Sequence, residues 1–169
     1  MEIRAARVPE EVPAVRELFR AYAESIGVDL CFQSFDAELA GLPGAYAPPG
    51  GRLLVIDGDS GDLAGCVALR PHGPGVAEMK RLYVRPTYRG RGLGRALINR
   101  IVAEATAAGY RALVLDTLPV MGEAIALYRS AGFAETAPYT FNPVPGALYF
   151  RKELAPRPTS DRHEPEKNT

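Results

Sequence analysis

Between Glu78 and Leu97 the chain reads E-M-K-R-L-Y-V-R-P-T-Y-R-G-R-G-L-G-R-A-L. Gly90, Gly92 and Gly94 alternate with Arg89, Arg91, Leu93 and Arg95. An apolar, strand-like run ends at Val84, and a helical pattern follows the glycines. A strand that feeds a glycine-rich helix start is suited to binding phosphate. The first helical turn carries unpaired N–H donors and the positive end of the helix dipole. Glycines let an anion approach the backbone closely, and arginines add forked, charge-assisted hydrogen bonds.

The charge pattern agrees. The chain holds 20 basic and 20 acidic residues, yet Lys80, Arg81, Arg85, Arg89, Arg91, Arg95 and Arg100 follow one another with no acidic residue between them. One basic segment on a neutral chain suits a compact polyanion. A nucleic-acid duplex would require a broad basic face. No Lys-Ser or Lys-Thr pair follows the glycines, which argues against a nucleotide-triphosphatase loop. The spacing G-x-G-x-G, met only after about 75 residues, departs from the dinucleotide-binding G-x-G-x-x-G of a first βαβ unit.

The spacing R-x-x-G-x-G at Arg89, Gly92 and Gly94 resembles the phosphate loop of the GCN5-related N-acetyltransferase (GNAT) family. A second segment, A-I-A-L-Y-R-S-A-G-F at 124–133, is similar to that family's later helix with its tyrosine. The resemblance implies an acetyl-coenzyme A-dependent enzyme. Its diphosphate would lie on Arg89, Gly90, Arg91, Gly92, Leu93, Gly94 and Arg95, and its pantetheine arm on the backbone of Leu82, Tyr83 and Val84. It further implies direct attack by the acceptor amine, with no covalent enzyme intermediate.

Catalytic roles follow from the same resemblance. Tyr128 matches a tyrosine that faces the sulfur. A phenol with an ordinary pKa of about 10 can protonate a thiolate of about 8.5 while staying neutral at pH 7. Glu78 matches a carboxylate that serves as general base, directly or through water. Asp116, at a strand end, is a second candidate for the base, with Thr117 beside it as a polar contact. Phe32, Gln33, Tyr46, Tyr139 and Asn142 are candidates for the acceptor pocket, since aromatic and amide groups suit a small polar ligand. The expected acceptor is a small amine, amino-acid-like or polyamine-like. A peptide or protein amine is the first alternative, and a non-catalytic coenzyme A sensor the second.

The elements that must position these groups are legible in the patterning. Glu2–Arg7 reads as a strand. A helix opens at Pro9 and runs to about Glu24, and a short one covers Phe35–Leu42 with Ser34 as its cap. Arg52–Asp57 and Leu63–Arg70 form a hairpin, and Val76–Val84 is the next strand. Helix Gly92–Ala108, strand Ala112–Asp116, helix Met121–Ala131 and strands at Phe133–Glu135 and Ala147–Glu153 complete the chain. The expectation is a single-domain α/β fold over residues 1–154, with a mixed, mostly antiparallel sheet flanked by helices and a splayed central strand pair. Residues 155–169 read as a disordered tail. Helix 92–108 makes a right-handed crossover between parallel neighbours.

Composition closes off other classes. No apolar run approaches a membrane span of roughly 20 residues, and the N-terminus lacks a signal-peptide core. Cytoplasmic location is expected by default, with a homodimer left open. Cys31 and Cys66 form no disulfide framework, and neither lies in a motif suited to nucleophilic catalysis. His72 and His163 stand far apart, so no histidine-based metal site is expected.

Overall fold

A computed structural model describes residues 1–31 and 34–156. Seven strands form one sheet: β1 (Ile3–Ala5), β2 (Arg52–Asp57), β3 (Leu63–Pro71), β4 (Val76–Val84), β5 (Ala112–Thr117), β6 (Ala134–Glu135) and β7 (Leu148–Glu153). Their order is β1-β2-β3-β4-β5-β7-β6. Only β4 and β5 run parallel, joined by the crossover helix α3 (Leu93–Ala107). Helices α1 (Val12–Ile26) and α2 (Phe35–Ala40) lie between β1 and β2 in the chain, and α4 (Gly122–Ser130) follows β5.

Helices cover both faces, so the inner strands are buried on both sides. Leu53 and Val55 pack with Val15, Leu18 and Phe19 of α1. Leu54 and Ile56, one residue out of phase, pack with Leu97, Ile98 and Ile101 of α3. This two-sided burial explains why β2 reads as an unbroken apolar run. In α3 the apolar residues fall three or four apart, and Leu97, Ile98, Ile101 and Ala105 are fully buried.

The start of α1 and the cap of α2 differ from the sequence reading. α1 begins at Val12, because Pro9 lies in the turn before it and Pro13 occupies the first turn of the helix. Ser34 does precede α2, but its backbone is left-handed (φ 55°) and its side chain makes no capping bond. α2 also ends at Ala40, two residues early, where the Gly41 amide bonds the Ala37 carbonyl.

Two features of β4 shape the site. First, it pairs with β5 only through Val76–Ala112, Ala77–Leu113 and Glu78–Val114. From Met79 onward the two strands have no paired residues, and a gap opens between them. Second, Val67 of β3 stands opposite two residues, Arg81 and Leu82, since Cys66 pairs with Tyr83 and Ala68 with Lys80. Arg81 takes up the extra residue with φ 62°. Such a bulge reverses the alternation of side chains. Ala77 and Met79 face the α3 side before it, and Leu82 and Val84 do so after it.

Candidate active site

A groove of about 830 Å³ runs along the gap. Leu82, Tyr83 and Val84 line one wall, the turn from Arg89 to Arg95 closes one end, α1 contributes Tyr22, and Met121 stands just before α4. The edge of β4 that would have continued its pairing with β5 supplies backbone donors and acceptors there.

The glycine-rich turn is built to leave that end open. Tyr88 anchors it: its hydroxyl donates to Asp62 Oδ1 at 2.8 Å and accepts from the Asp59 amide at 3.0 Å. Gly90 and Gly92 have φ of 82° and 74°, a left-handed backbone that side chains disfavour. A Cβ at either would meet no other atom within 4 Å, and both glycines line the groove. Gly92 caps α3, whose first helical bond runs from Ala96 N–H to the Gly92 carbonyl. The amides of Leu93, Gly94 and Arg95 therefore have no intrahelical acceptor. Gly94 has a different role. A Cβ there would come within 3.2 Å of Leu127 Cδ1, so it lets α4 pack closely on α3.

The seven basic residues do not act as one patch. Arg89 lies by the groove over the Tyr83 ring and donates to the Val84 carbonyl at 3.0 Å. Arg95 also lines it and donates to Ser130 Oγ at 2.9 Å. Arg91 turns toward the β2–β3 connection, pairs with Asp59 at 2.8 Å and does not line the groove. Arg85 bonds the Leu63 carbonyl, and Arg100 bonds Glu104 and the Ile3 carbonyl. Lys80 and Arg81 line a second cavity instead.

This inner cavity is narrow, about 30 Å³, and shares Tyr22, Ile26, Leu82 and Met121 with the groove. Its polar lining comes from Tyr22, Lys80, Arg81, Asp116, Thr117, Asn142 and Tyr128. Tyr128 is buried among Phe133 and Phe150, with its hydroxyl making no hydrogen bond among the described residues. Burial, reinforced by Tyr22 and Asp116, pushes its pKa well above the ordinary phenol value. Asp116 accepts from Asn142 Nδ2 at 3.0 Å.

Glu78 lies outside both cavities. It is 2% exposed. Arg70 Nε donates to one carboxylate oxygen at 2.8 Å, and the Tyr139 hydroxyl donates to the other at 2.6 Å. Burial opposes its charge, but Lys80, Tyr139 and Arg70 overcome this and hold its pKa below the ordinary carboxylate value. Lys80 shows the reverse balance: burial lowers its pKa, although Glu78 and Asp116 favour its charge.

Among the other pocket candidates, Tyr46 is buried and donates to Glu38 at 2.9 Å. Phe32 and Gln33, like residues 157–169 of the expected tail, lie outside the described residues. Tyr22, Lys80 and Arg81 are the site residues that the sequence reading missed. The signal for two of them was present: adjacent charges inside an apolar strand must be paired or face a cavity. Among the described residues no group of three or more His, Cys, Asp or Glu could hold a metal, and no helix is long and apolar enough to cross a membrane.

Comparison with known proteins agrees with this geometry. The acetyltransferase (GNAT) family model matches residues 12–133. An uncharacterized N-acetyltransferase of Schizosaccharomyces pombe is 42% identical over 156 residues, covering 92% of this chain and 96% of the relative. A GNAT-family acetyltransferase from Staphylococcus aureus has the same fold, with a TM-score of 0.77 at 17% identity, over 91% of this chain and 99% of that one. A phosphinothricin acetyltransferase of the GNAT superfamily from Sinorhizobium meliloti was solved in complex with acetyl-coenzyme A. It aligns with a TM-score of 0.62 at 19% identity, over 90% of this chain and 88% of that one. The chain belongs to the GNAT acetyltransferase family and is an N-acetyltransferase.

Proposed function

We propose that this enzyme transfers the acetyl group of acetyl-coenzyme A to the primary amine of a small metabolite by direct attack. The observation that carries the reading is the separation of β4 from β5 beyond Glu78. It joins a groove ending at a glycine-rich helix start to a narrow, polar inner cavity. The amides of Leu93, Gly94 and Arg95, exposed by Gly90 and Gly92, hold the diphosphate, and Arg89 and Arg95 add charge. The free edge of β4 at Leu82, Tyr83 and Val84 hydrogen-bonds the pantetheine arm and polarises the thioester carbonyl.

Tyr128 is the general acid for the departing thiolate. Burial keeps its phenol protonated throughout the working range. Asp116 lines the inner cavity and faces the acceptor amine. Glu78, with both oxygens engaged, holds Tyr139 and Arg70 in place. The narrow cavity favours a small acceptor over a peptide chain.

The test is thiol release from acetyl-coenzyme A across amino acids, polyamines, aminoglycosides and short peptides, with Tyr128→Phe in parallel. Amine-dependent release is expected, with kcat lower by about 10²-fold in the variant. Because the Tyr128 pKa is raised, wild-type activity should show no loss from phenol ionisation up to pH of about 10. Equal rates in wild type and variant would remove Tyr128 from the mechanism.

A further inference from the structure

The turn between β2 and β3 reads D-G-D-S-G-D, from Asp57 to Asp62. Asp57 is taken up by Arg4. The other two carboxylates face the glycine-rich turn. Asp62 Oδ1 accepts from the Tyr88 hydroxyl at 2.8 Å, and Asp59 Oδ2 pairs with Arg91 at 2.8 Å. The Tyr88 hydroxyl also accepts from the Asp59 amide at 3.0 Å. The Arg91 guanidinium lies 5.2 Å from the centroid of the Tyr88 ring. Gly58 allows this close approach: a Cβ there would strike Asp62 Oδ1 and stand 2.6 Å from the Tyr88 hydroxyl oxygen. Two aspartates beside a site for a diphosphate carry the wrong charge for its ligand, so attraction is not their role.

Their role lies in the backbone they adjoin. Among the described residues, the amides of Gly90, Arg91 and Gly92 donate to no backbone carbonyl. Gly90 and Gly92 are left-handed, and glycine loses more freedom on ordering than any other residue. The segment is therefore held from its flanks. On one side α3 begins at Leu93. On the other, the short 3-10 turn Pro86–Tyr88 ends on a Tyr88 side chain that is buried. That turn is tied at both of its ends. Arg85 bonds the Leu63 carbonyl through its side chain and the Ala64 carbonyl through its amide, both at 2.8 Å. Tyr88 bonds Asp62. The Arg91–Asp59 pair is exposed, and such pairs contribute little by themselves. Tyr88–Asp62 is the stronger tie, because the ring is buried and the acceptor is charged.

Resting on the cofactor site described under the proposed function, we propose that the β2–β3 turn braces the diphosphate loop and that Asp62 is a positioning residue for acetyl-coenzyme A. Asp62 does not line the groove. It acts through the Tyr88 hydroxyl, which fixes the point where the chain enters Arg89 and Gly90. The loop amides are thereby kept in the arrangement that receives the phosphates. A loop ordered before binding has less freedom to lose when its ligand arrives. The sign of the effect separates this role from a direct one. By Coulomb repulsion alone, removing the Asp62 carboxylate strengthens the binding of an anion, by an amount that salt reduces. With the brace, removing it weakens binding, because the loop is released.

The experiment measures two dissociation constants on the full chain: that of coenzyme A by calorimetry, and that of pantetheine by ligand-observed NMR. Pantetheine lacks the diphosphate and the nucleotide. Asp62→Ala should raise the coenzyme A constant about tenfold and leave the pantetheine constant unchanged. Tyr88→Phe should weaken coenzyme A by a similar factor. The double variant should also be only about tenfold weaker than wild type, because the same bond is lost in all three. Asp62→Asn drops the charge but keeps an oxygen for the Tyr88 hydroxyl, so it should stay within about threefold of wild type. Thermal melts establish that each variant is folded at the temperature of the titration. Coenzyme A bound by Asp62→Ala as tightly as by wild type, or more tightly, overturns the inference and leaves the cofactor site intact. Equal weakening of coenzyme A and pantetheine also overturns it, since the effect would then belong to the fold at large. Additive losses in the double variant overturn the action of Asp62 through Tyr88. Failure of wild type to bind coenzyme A overturns the cofactor site and this inference with it.

Discussion

Arg81 is a buried guanidinium in a conformation that side chains avoid. Its backbone has φ 62°. It bonds Glu38 through Nε at 2.9 Å and Nη2 at 3.1 Å, and its guanidinium lies 5.1 Å from the Phe35 ring centroid and 5.6 Å from that of Tyr22. Glu38 also accepts from Tyr46, so one carboxylate ties α2 to the bulge. Breaking a buried pair by removing one partner costs about 3–5 kcal/mol. Relief of a left-handed backbone returns only about 1–2 kcal/mol. Both Arg81→Ala and Arg81→Gly should therefore be destabilised in urea unfolding, the glycine variant somewhat less. A glycine variant as stable as wild type would show that backbone strain outweighs the ion pair.

At the scale of the elements, the glycine-rich turn separates strain from space. Alanine at position 92 meets no atom within 4 Å, so the cost is the left-handed backbone alone, about 1–2 kcal/mol. The added methyl group would stand in the groove. Gly92→Ala should lower the melting temperature modestly and weaken acetyl-coenzyme A binding, measured by calorimetry, by more than its stability loss accounts for. Unchanged affinity would place the diphosphate elsewhere.

The same scale shows what the sequence could and could not reveal. Strands β2 to β5 and helix α3 were legible within a residue or two, because β2, β3 and β5 are short, largely apolar runs, α3 keeps a helical period, and Gly or Pro lies near their ends. The bulge was not legible. One extra residue at Arg81 breaks the alternation of β4, and it made Lys80 and Arg81 look like part of the phosphate-loop charge. Glu78 was visible as a carboxylate on the strand leading to the loop. Its engagement by Tyr139, 61 residues later, depends on how the β6–β7 connection folds back, which no local pattern encodes. Asn142 stood out only as an amide in a Pro-rich stretch, yet it bonds Asp116.

Across the whole molecule, the far edge of the sheet depends on one charge cluster. Arg4 of β1 bonds Glu11 before α1 at 2.7 Å and Asp57 at the end of β2 at 2.7 Å. The Arg4 bond, helped by the Arg7 amide and resisted by burial, lowers the Glu11 pKa to about 2. A depressed carboxylate pKa contributes stability above its unfolded value of about 4.3. That contribution falls as pH drops from there through 2. Glu11→Gln should cost about 1.5–3 kcal/mol at pH 7, and the difference from wild type should shrink as pH falls and be lost below about pH 2. A constant difference at both pH values would show that the loss comes from packing and not from charge.

Both ends of the proposed reaction path lie on the gap between β4 and β5, so the measurement that tests the account most directly is amide hydrogen exchange with and without coenzyme A. The account predicts new protection at Leu82–Val84 and at Gly90–Arg95, with little change in β1, β2 and β7. Tight binding that leaves these two segments unprotected, or protects another face of the sheet, would contradict it.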